Sequence, residues 1–426
     1  MFRTLQTISS LAAAAMAFCG FSHAFAADAA PAQPTPAVAV SAPVTHAGET
    51  LLRSLLDAAK QNAPEVAVAR ASFSSSRSML ANGQMAPLGN PYLEITAERG
   101  DKNVTKDVAL NGTLWLPLEL SGQRGSRARE AENFVALHAA FVQRARAHAA
   151  ARLVRAYGST VVAVERASVL SELLTSARAE MQIAAERLKS GDAIQPDASL
   201  AAVEAARHEV MLVETEAELL RAKSELAELL GRDLNSLGSV NPPSLERGGR
   251  AVKLAETPQA QSLAAEARFY SSSAERLRKE AQSPLSVGLV AGRGDFGETR
   301  LGGGLAYAFP IFRANRPERA RAGAESARAL AEKSVHENVA RRRLRLLQEE
   351  QAQLMRARSV LTTTALPAAQ LAVSAVQETY AAGKAEMLAV LLSRRELSSL
   401  SLRRLELLLQ EWQLVSEYVE ITGDLP

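Results

Sequence analysis

Two periodicities alternate along the chain. Apolar side chains recur at Leu170, Leu174, Ala177, Met181, Ala184 and Leu188, and again 192 residues on at Leu366, Ala369, Val373, Val376 and Tyr380. Two further segments repeat the spacing, Val203, Ala206, Val210, Val213, Ala217 and Leu220, and Leu402, Leu405, Leu409 and Trp412. Steps of four and three between charged flanks make the seam of helices packed knobs into holes, so these residues are assigned to the core. Pro367 falls inside one seam and predicts a kink or short break. Strict alternation appears elsewhere. Leu93, Ile95 and Ala97 oppose Glu94, Thr96 and Glu98; Val108, Leu110, Leu114 and Leu116 oppose Asp107, Asn111 and Thr113. Val287, Leu289 and Ala291 share a face, and Leu301, Leu305, Tyr307 and Phe309 oppose Gly302, Gly304 and Ala306. These segments, about 90–98, 107–118, 284–292 and 300–309, have the length of tilted membrane strands.

The order of elements repeats at an offset of about 192 to 194 residues. Asn62-Ala63-Pro64 returns as Glu256-Thr257-Pro258, Arg99-Gly100-Asp101 as Arg293-Gly294-Asp295, Leu116-Pro117-Leu118 as Phe309-Pro310-Ile311, Ser190-Gly191-Asp192-Ala193 as Ala382-Gly383-Lys384-Ala385, and Leu230-Gly231 as Thr422-Gly423. The chain is therefore read as two copies, 48–231 and 256–423, joined by a linker at 232–255 and followed by a tail at 424–426. In each copy a first helix (48–84; 257–282) precedes two strands, a very long helix (126–189; 317–381), a short turn and a returning helix (196–230; 386–421). A helix of about 64 residues spans ~96 Å, which predicts a tall cylinder. The paired Arg-Gly-Asp triplets are read as hairpin turns rather than adhesion motifs, because Gly and Asp supply turn geometry.

Composition narrows the class. Of 426 residues only 4% are aromatic, which suits narrow Ala/Leu seams, and 49 basic against 46 acidic residues give no reason to expect nucleic acid. Residues 1–26 read as a signal peptide with Arg3, an apolar stretch Ile8–Phe21 and the cleavage site Ala24-Phe25-Ala26; residues 27–47 read as a flexible leader. The single cysteine, Cys19, lies in the removed piece, and bulky Phe18 before it disfavours lipidation. The mature chain then has no thiol chemistry or disulfide. Outside the N-terminus no run of apolar residues is long enough for a membrane helix. Four strands in two hairpins cannot close a barrel alone, but several chains each donating four could. A half-buried soluble sheet is the alternative.

Taken together, the duplicated hairpin-plus-long-helix unit, Pro117 and Pro310 before the long helices, Gly191 and Gly383 at the helix turns, and Leu229-Leu230-Gly231 resemble the outer-membrane efflux protein (TolC) family over about Gly48–Gly423. Leu116-Pro117-Leu118-Glu119-Leu120-Ser121-Gly122-Gln123-Arg124 and Leu366-Pro367 lean toward the heavy-metal, CzcC-like branch. The resemblance implies a mainly α protein with a β-barrel part: a homotrimer whose four strands per protomer make a 12-stranded outer-membrane barrel above a periplasmic α-helical tunnel. It implies a passive duct in outer-membrane lipid, working with a periplasmic adaptor (membrane fusion) protein and an inner-membrane pump of the RND type. Cargo would be metal cations or small toxic compounds. A soluble periplasmic coiled-coil scaffold or adaptor is the competing reading.

The resemblance also suggests sites. An iris-like tip gate would use Asp197, six residues after Gly191, with Asp192; at the equivalent spacing the second copy has Ala389, so Glu386 is the substitute. N-capping of the returning helix is the other reading of Asp197. Arg187, Ser190, Gly191, Asp192, Tyr380, Ala382, Gly383 and Lys384 would dock the adaptor. Glu94 and Glu98 would line the barrel lumen, or form an ordinary solvated face. No catalytic constellation, cofactor site or metal site is expected. His46, His138, His148, His208 and His336 lack ligand spacing, and Gly302-Gly303-Gly304 lacks the residues of a phosphate loop.

Overall fold

The computed structural model describes residues 44–99, 108–191, 193–232, 242–245, 252–294, 297–309, 315–382 and 384–426. The segment read as signal peptide, together with Asp192 and Gly383, lies outside them. All the described residues belong to one unit, Val44–Pro426.

The helices are α1 (Val44–Asn62), α2 (Pro64–Ser76), α3 (Leu80–Gln84), α4 (Gln123–Ser190), α5 (Gln195–Leu230), α6 (Pro258–Glu280), α7 (Arg316–Val360), α8 (Leu366–Ala381) and α9 (Met387–Thr422). The strands are β1 (Tyr92–Arg99), β2 (Val108–Leu118), β3 (Leu285–Arg293) and β4 (Thr299–Tyr307). Helix α1 begins inside the span read as leader, carried by the buried stripe Leu52, Leu55, Leu56 and Ala59. The single first helix expected over 48–84 is broken. Ala63 adopts ψ 140° before Pro64, because a residue preceding proline is pushed out of the helical region. Thr257 does the same before Pro258, with ψ 144°. The copies also end alike, on left-handed Gly231 and Gly423.

With 68 residues, α4 is about 100 Å long. Its counterpart is one rod from Arg316 to Ala381, interrupted by a π-helical turn at Leu361–Ala365. The expected break thus lies just upstream of Pro367. Its ring would meet the carbonyl of Thr363 in a regular helix, and the wider π turn relieves that clash.

The core centres on the middle of α4, where Ala149, Ala150, Leu153, Val154 and Tyr157 are fully buried against α1, the end of α5, and Leu405, Trp412, Val415 and Val419 of α9. Small residues there let several helices approach one rod. Gly158 lies against Trp412, where a Cβ would come within 2.5 Å of the indole. The linker segment 242–245 is clamped by buried Gln351, which accepts from the Leu245 amide (2.7 Å) and donates to the Pro243 carbonyl (2.9 Å).

Three of the four seams are packed as expected; that of α5 is not. Val203, Val210, Val213 and Leu220 are 57–72% exposed. Helix α5 packs through a second heptad stripe, Ala201, Ala205, His208, Thr215, Ala222 and Leu226. It therefore carries two seams, and spacing alone does not say which faces its own chain. The expectation of no membrane-type helix also needs correcting. Within Arg316–Tyr380 one window is long and apolar enough to cross a membrane (mean hydropathy 1.3), with 6% of it buried. The reason is a charge-free stretch, Ser359–Gln377, rather than an apolar run.

The four strands form one antiparallel sheet in the order β1-β2-β3-β4. The two hairpins, distant in sequence, are joined by β2 pairing β3 from Leu110↔Arg293 to Leu118↔Leu285. The outer edges of β1 and β4 have no partner strand within this sheet.

Candidate functional site

At one end of the molecule two helical hairpins turn. Helix α4 ends on Gly191 (φ 85°), whose amide donates to the Leu188 carbonyl at 3.2 Å. Left-handed φ there is what a glycine supplies. The hydroxyl of Ser190 donates back to the Arg187 carbonyl at 3.0 Å. Ile194, not Asp197, is the N-cap residue of α5. Asp197 sits in the first turn, where a carboxylate is favoured by the helix dipole. In the second copy Glu386 is the N-cap residue of α9, exposed and without a side-chain cap bond. Lys384 is exposed, and its amide donates to the Thr379 carbonyl at 2.9 Å.

Arg187 and Tyr380, both assigned to docking, face each other. The guanidinium of Arg187 on α4 lies 4.3 Å from the centre of the Tyr380 ring on α8, a cation–π contact between the two hairpins. Below it Ala184, Ala201, Met387, Val390 and Leu391 form a small buried cluster, with Met181, Ala198, Val376 and Tyr380 packed against it. Arg394 of α9 pairs with Glu180 of α4. Burial raises the Glu180 pKa; Arg394 lowers it and nearby Glu204 raises it. His208, 3.7 Å from Glu204, is held below the usual imidazole range, chiefly by burial. Sequence reasoning missed this polar cluster. Its signal was a histidine and two glutamates within otherwise apolar heptad faces.

At the other end is the sheet. The register puts Leu93, Ile95, Leu110, Leu114, Leu116, Val287, Leu289, Leu301, Leu305 and Tyr307 on one face, and they are 37–82% exposed. The opposite face carries Glu94, Thr96, Glu98, Asn111, Thr113 and a row of small residues. Glu94 and Glu98 thus share the polar face. Tyr307 packs edge-on to Phe309 at 5.1 Å at the helical end of β4. Aromatic residues at the rim of an apolar band mark the water interface of a barrel. The strand-to-helix joint is locked by Arg127, which donates through its two terminal guanidinium nitrogens to Glu119 (2.8 and 2.7 Å) across left-handed Gly122. Among the described residues no group of three or more His, Cys, Asp or Glu could hold a metal ion.

This architecture is found in known structures. A membrane protein from Pseudomonas aeruginosa superposes with a TM-score of 0.73 at 19% identity, covering 92% of this chain and 98% of that one. The outer membrane protein VceC of Vibrio cholerae gives 0.70 at 17% identity, covering 88% and 97%. The chain has the fold of the TolC-type outer-membrane efflux channels. In sequence it is 27% identical over 400 residues to the cobalt-zinc-cadmium resistance protein CzcC of Cupriavidus metallidurans, covering 89% of this chain and 92% of that protein. The lean toward the heavy-metal branch agrees with that match. No protein-family model matches the chain.

Proposed function

We propose that the chain is the outer-membrane duct of a tripartite efflux system. Three copies close a 12-stranded barrel, and their helices form a periplasmic tunnel. The carrying observation is the sheet itself. One face is open and apolar through its middle, with Arg99 and Arg293 only at the hairpin end, and both edges lack a partner strand within the sheet. A soluble scaffold would leave that face and those edges to aggregate. The exposed α5 stripe Val203, Val210, Val213 and Leu220 supplies the matching helical contact with a second copy. A periplasmic adaptor meets the tip through Ser190, Gly191, Gly383 and Lys384, and an RND-type pump in the inner membrane drives transport. The duct binds no cofactor and catalyses no reaction. Metal cations are the proposed cargo, by the likeness to a cobalt-zinc-cadmium resistance protein. Residues 1–26 are proposed to direct export.

Extraction tests the reading. The mature protein is expected in the outer-membrane fraction, released by detergent as a trimer. Recovery as a detergent-free periplasmic monomer would overturn it. At the tip, Asp197 is proposed to form the gate's charge ring, with Asp192 and Glu386 nearby. Charged rings near an axis select and hold ions. Asp197→Ala is expected to raise single-channel conductance in a planar bilayer. Unchanged conductance would reduce Asp197 to its dipole role.

A further inference from the structure

The polar face of the sheet holds a side chain that neither the lipid boundary nor the core accounts for. Trp115 on β2 alternates with the exposed leucines Leu114 and Leu116 and so points to the opposite, polar side. Aromatic residues that anchor a barrel in lipid lie on the outer face, as Tyr307 does here; Trp115 does not. Its indole lies flat across the next two strands. A Cβ on Gly288 of β3 would come within 2.7 Å of the ring, and one on Gly304 of β4 within 3.0 Å. Both glycines stand on the same face as Trp115, and their lack of side chains makes the shelf on which it rests. Toward β1, Tyr92, the cross-strand partner of Trp115, lies beside the ring, with centroids 6.4 Å apart and planes at 26°. The indole Nε1–H donates to Glu94 Oε2 at 2.8 Å. One rung thus carries an aromatic ring spanning three strands, fixed at both ends, with a carboxylate attached.

We propose that Trp115, with Glu94, is a specificity-determining element of the duct, a cation-favouring ring at the base of the barrel lumen. The proposal rests on the duct reading, because three protomers are needed to close the ring. The chemistry follows from the contacts. A cation is attracted to the face of an indole, most strongly among aromatic side chains. Donating its N–H to a carboxylate enriches that face in electron density. The carboxylate adds a full negative charge beside it. Trp115 lies three residues from the end of β2 that leads into α4, so the ring stands where the tunnel opens into the barrel. Arg300, which shares this face, is at the far end of the sheet and is paired with Glu298.

The test reads the ring directly, independent of the tip. The chain has two tryptophans, and Trp412 is fully buried. The emission of the wild-type trimer in vesicles minus that of Trp115→Phe isolates Trp115, and phenylalanine keeps a ring on the glycine shelf. Quenching by caesium, by iodide and by brominated-chain lipid is then measured. The expected result is a caesium-to-iodide quenching ratio several-fold above that of free N-acetyltryptophanamide, falling to the free value in Glu94→Gln, with no quenching by brominated lipid. Quenching from the lipid side, or a free-indole ratio in the wild type, would overturn the ring while leaving the duct intact. Failure of the protein to insert as a trimer would overturn the duct reading and the ring with it.

Discussion

Gly158 illustrates how a single residue can be set by packing against its own propensity. It sits in the interior of α4, where alanine would be the better helix former by about 1 kcal/mol. Trp412 closes over it, with Tyr157 edge-on to the same indole at 5.6 Å. A methyl group there must displace a fully buried indole, and overpacking typically costs ~1–3 kcal/mol. The clash outweighs the propensity gain. Gly158→Ala is therefore expected to lower the thermal midpoint, whereas Gly125→Ala, where the added Cβ meets nothing within 4 Å, is expected to raise it or leave it unchanged. Calorimetry of the two variants checks the pair; equal shifts would refute the packing argument. At this scale the sequence was read unevenly. Gly191 and Glu94 were found because turn chemistry and alternation are local signals. Glu119 and Arg127 stood in or beside a quoted motif, yet their pairing was invisible, since it depends on the left-handed turn at Gly122. Trp115 was overlooked because its role needs the register of β2 against two strands that lie far along the chain.

Helical elements were the most legible part, since heptad spacing, proline position and terminal glycines all act within a few residues. The error at α5 has a physical origin. A helix with two apolar stripes presents the same spacing on each, and only partners decide which is covered. Those partners also bring titratable groups together from separate elements. His208 of α5 packs beside Glu204 and Arg207, while Glu180 of α4 faces Arg394 of α9. The two groups respond oppositely to acid. His208 titrates below its ordinary 6.5 in the fold, so the unfolded chain takes the proton first. Its stability contribution is present above about pH 6.5 and is lost as pH falls through the folded value. His336 and His138 have the same sign. Glu180 titrates above 4.5, so the folded chain takes the proton first, and stability is gained as pH falls through its raised value toward 4.5. His208→Gln is therefore expected to flatten the fall in thermal midpoint between pH 7.5 and 5.5. Glu180→Gln is expected to steepen the profile nearer pH 5 by removing the offsetting uptake. Midpoints measured from pH 7.5 down to 4.5 for the three proteins provide the check, and parallel profiles would contradict it.

Across the whole molecule, one alternation organises everything at the sheet end. Successive residues of β4 belong to different solvents, and the consequence is sharp at Leu301 and Gly302. Leu301 is 82% exposed on the apolar face, while Gly302 is on the polar face with open space around its would-be Cβ. A soluble sheet wetted on both faces would tolerate a charge at 301 more readily than a leucine. A barrel wall would tolerate it less, because arginine on the lipid side costs ~2–4 kcal/mol at mid-membrane and less toward the rim, and Leu301 stands two residues inside the outer end of β4. With the three copies proposed per barrel the penalty is applied three times within one closed structure. Leu301→Arg is thus expected to lower the amount of the proposed trimer in the outer-membrane fraction, while Gly302→Ser, one residue away on the polar face with room for its side chain, leaves it in place. Membrane fractionation followed by trimer detection on non-denaturing gels reads both. If Leu301→Arg leaves membrane-inserted trimer at wild-type levels, the apolar face does not meet lipid. The unpaired edges of β1 and β4 and the exposed stripe of α5 would then remain as the grounds for assembly.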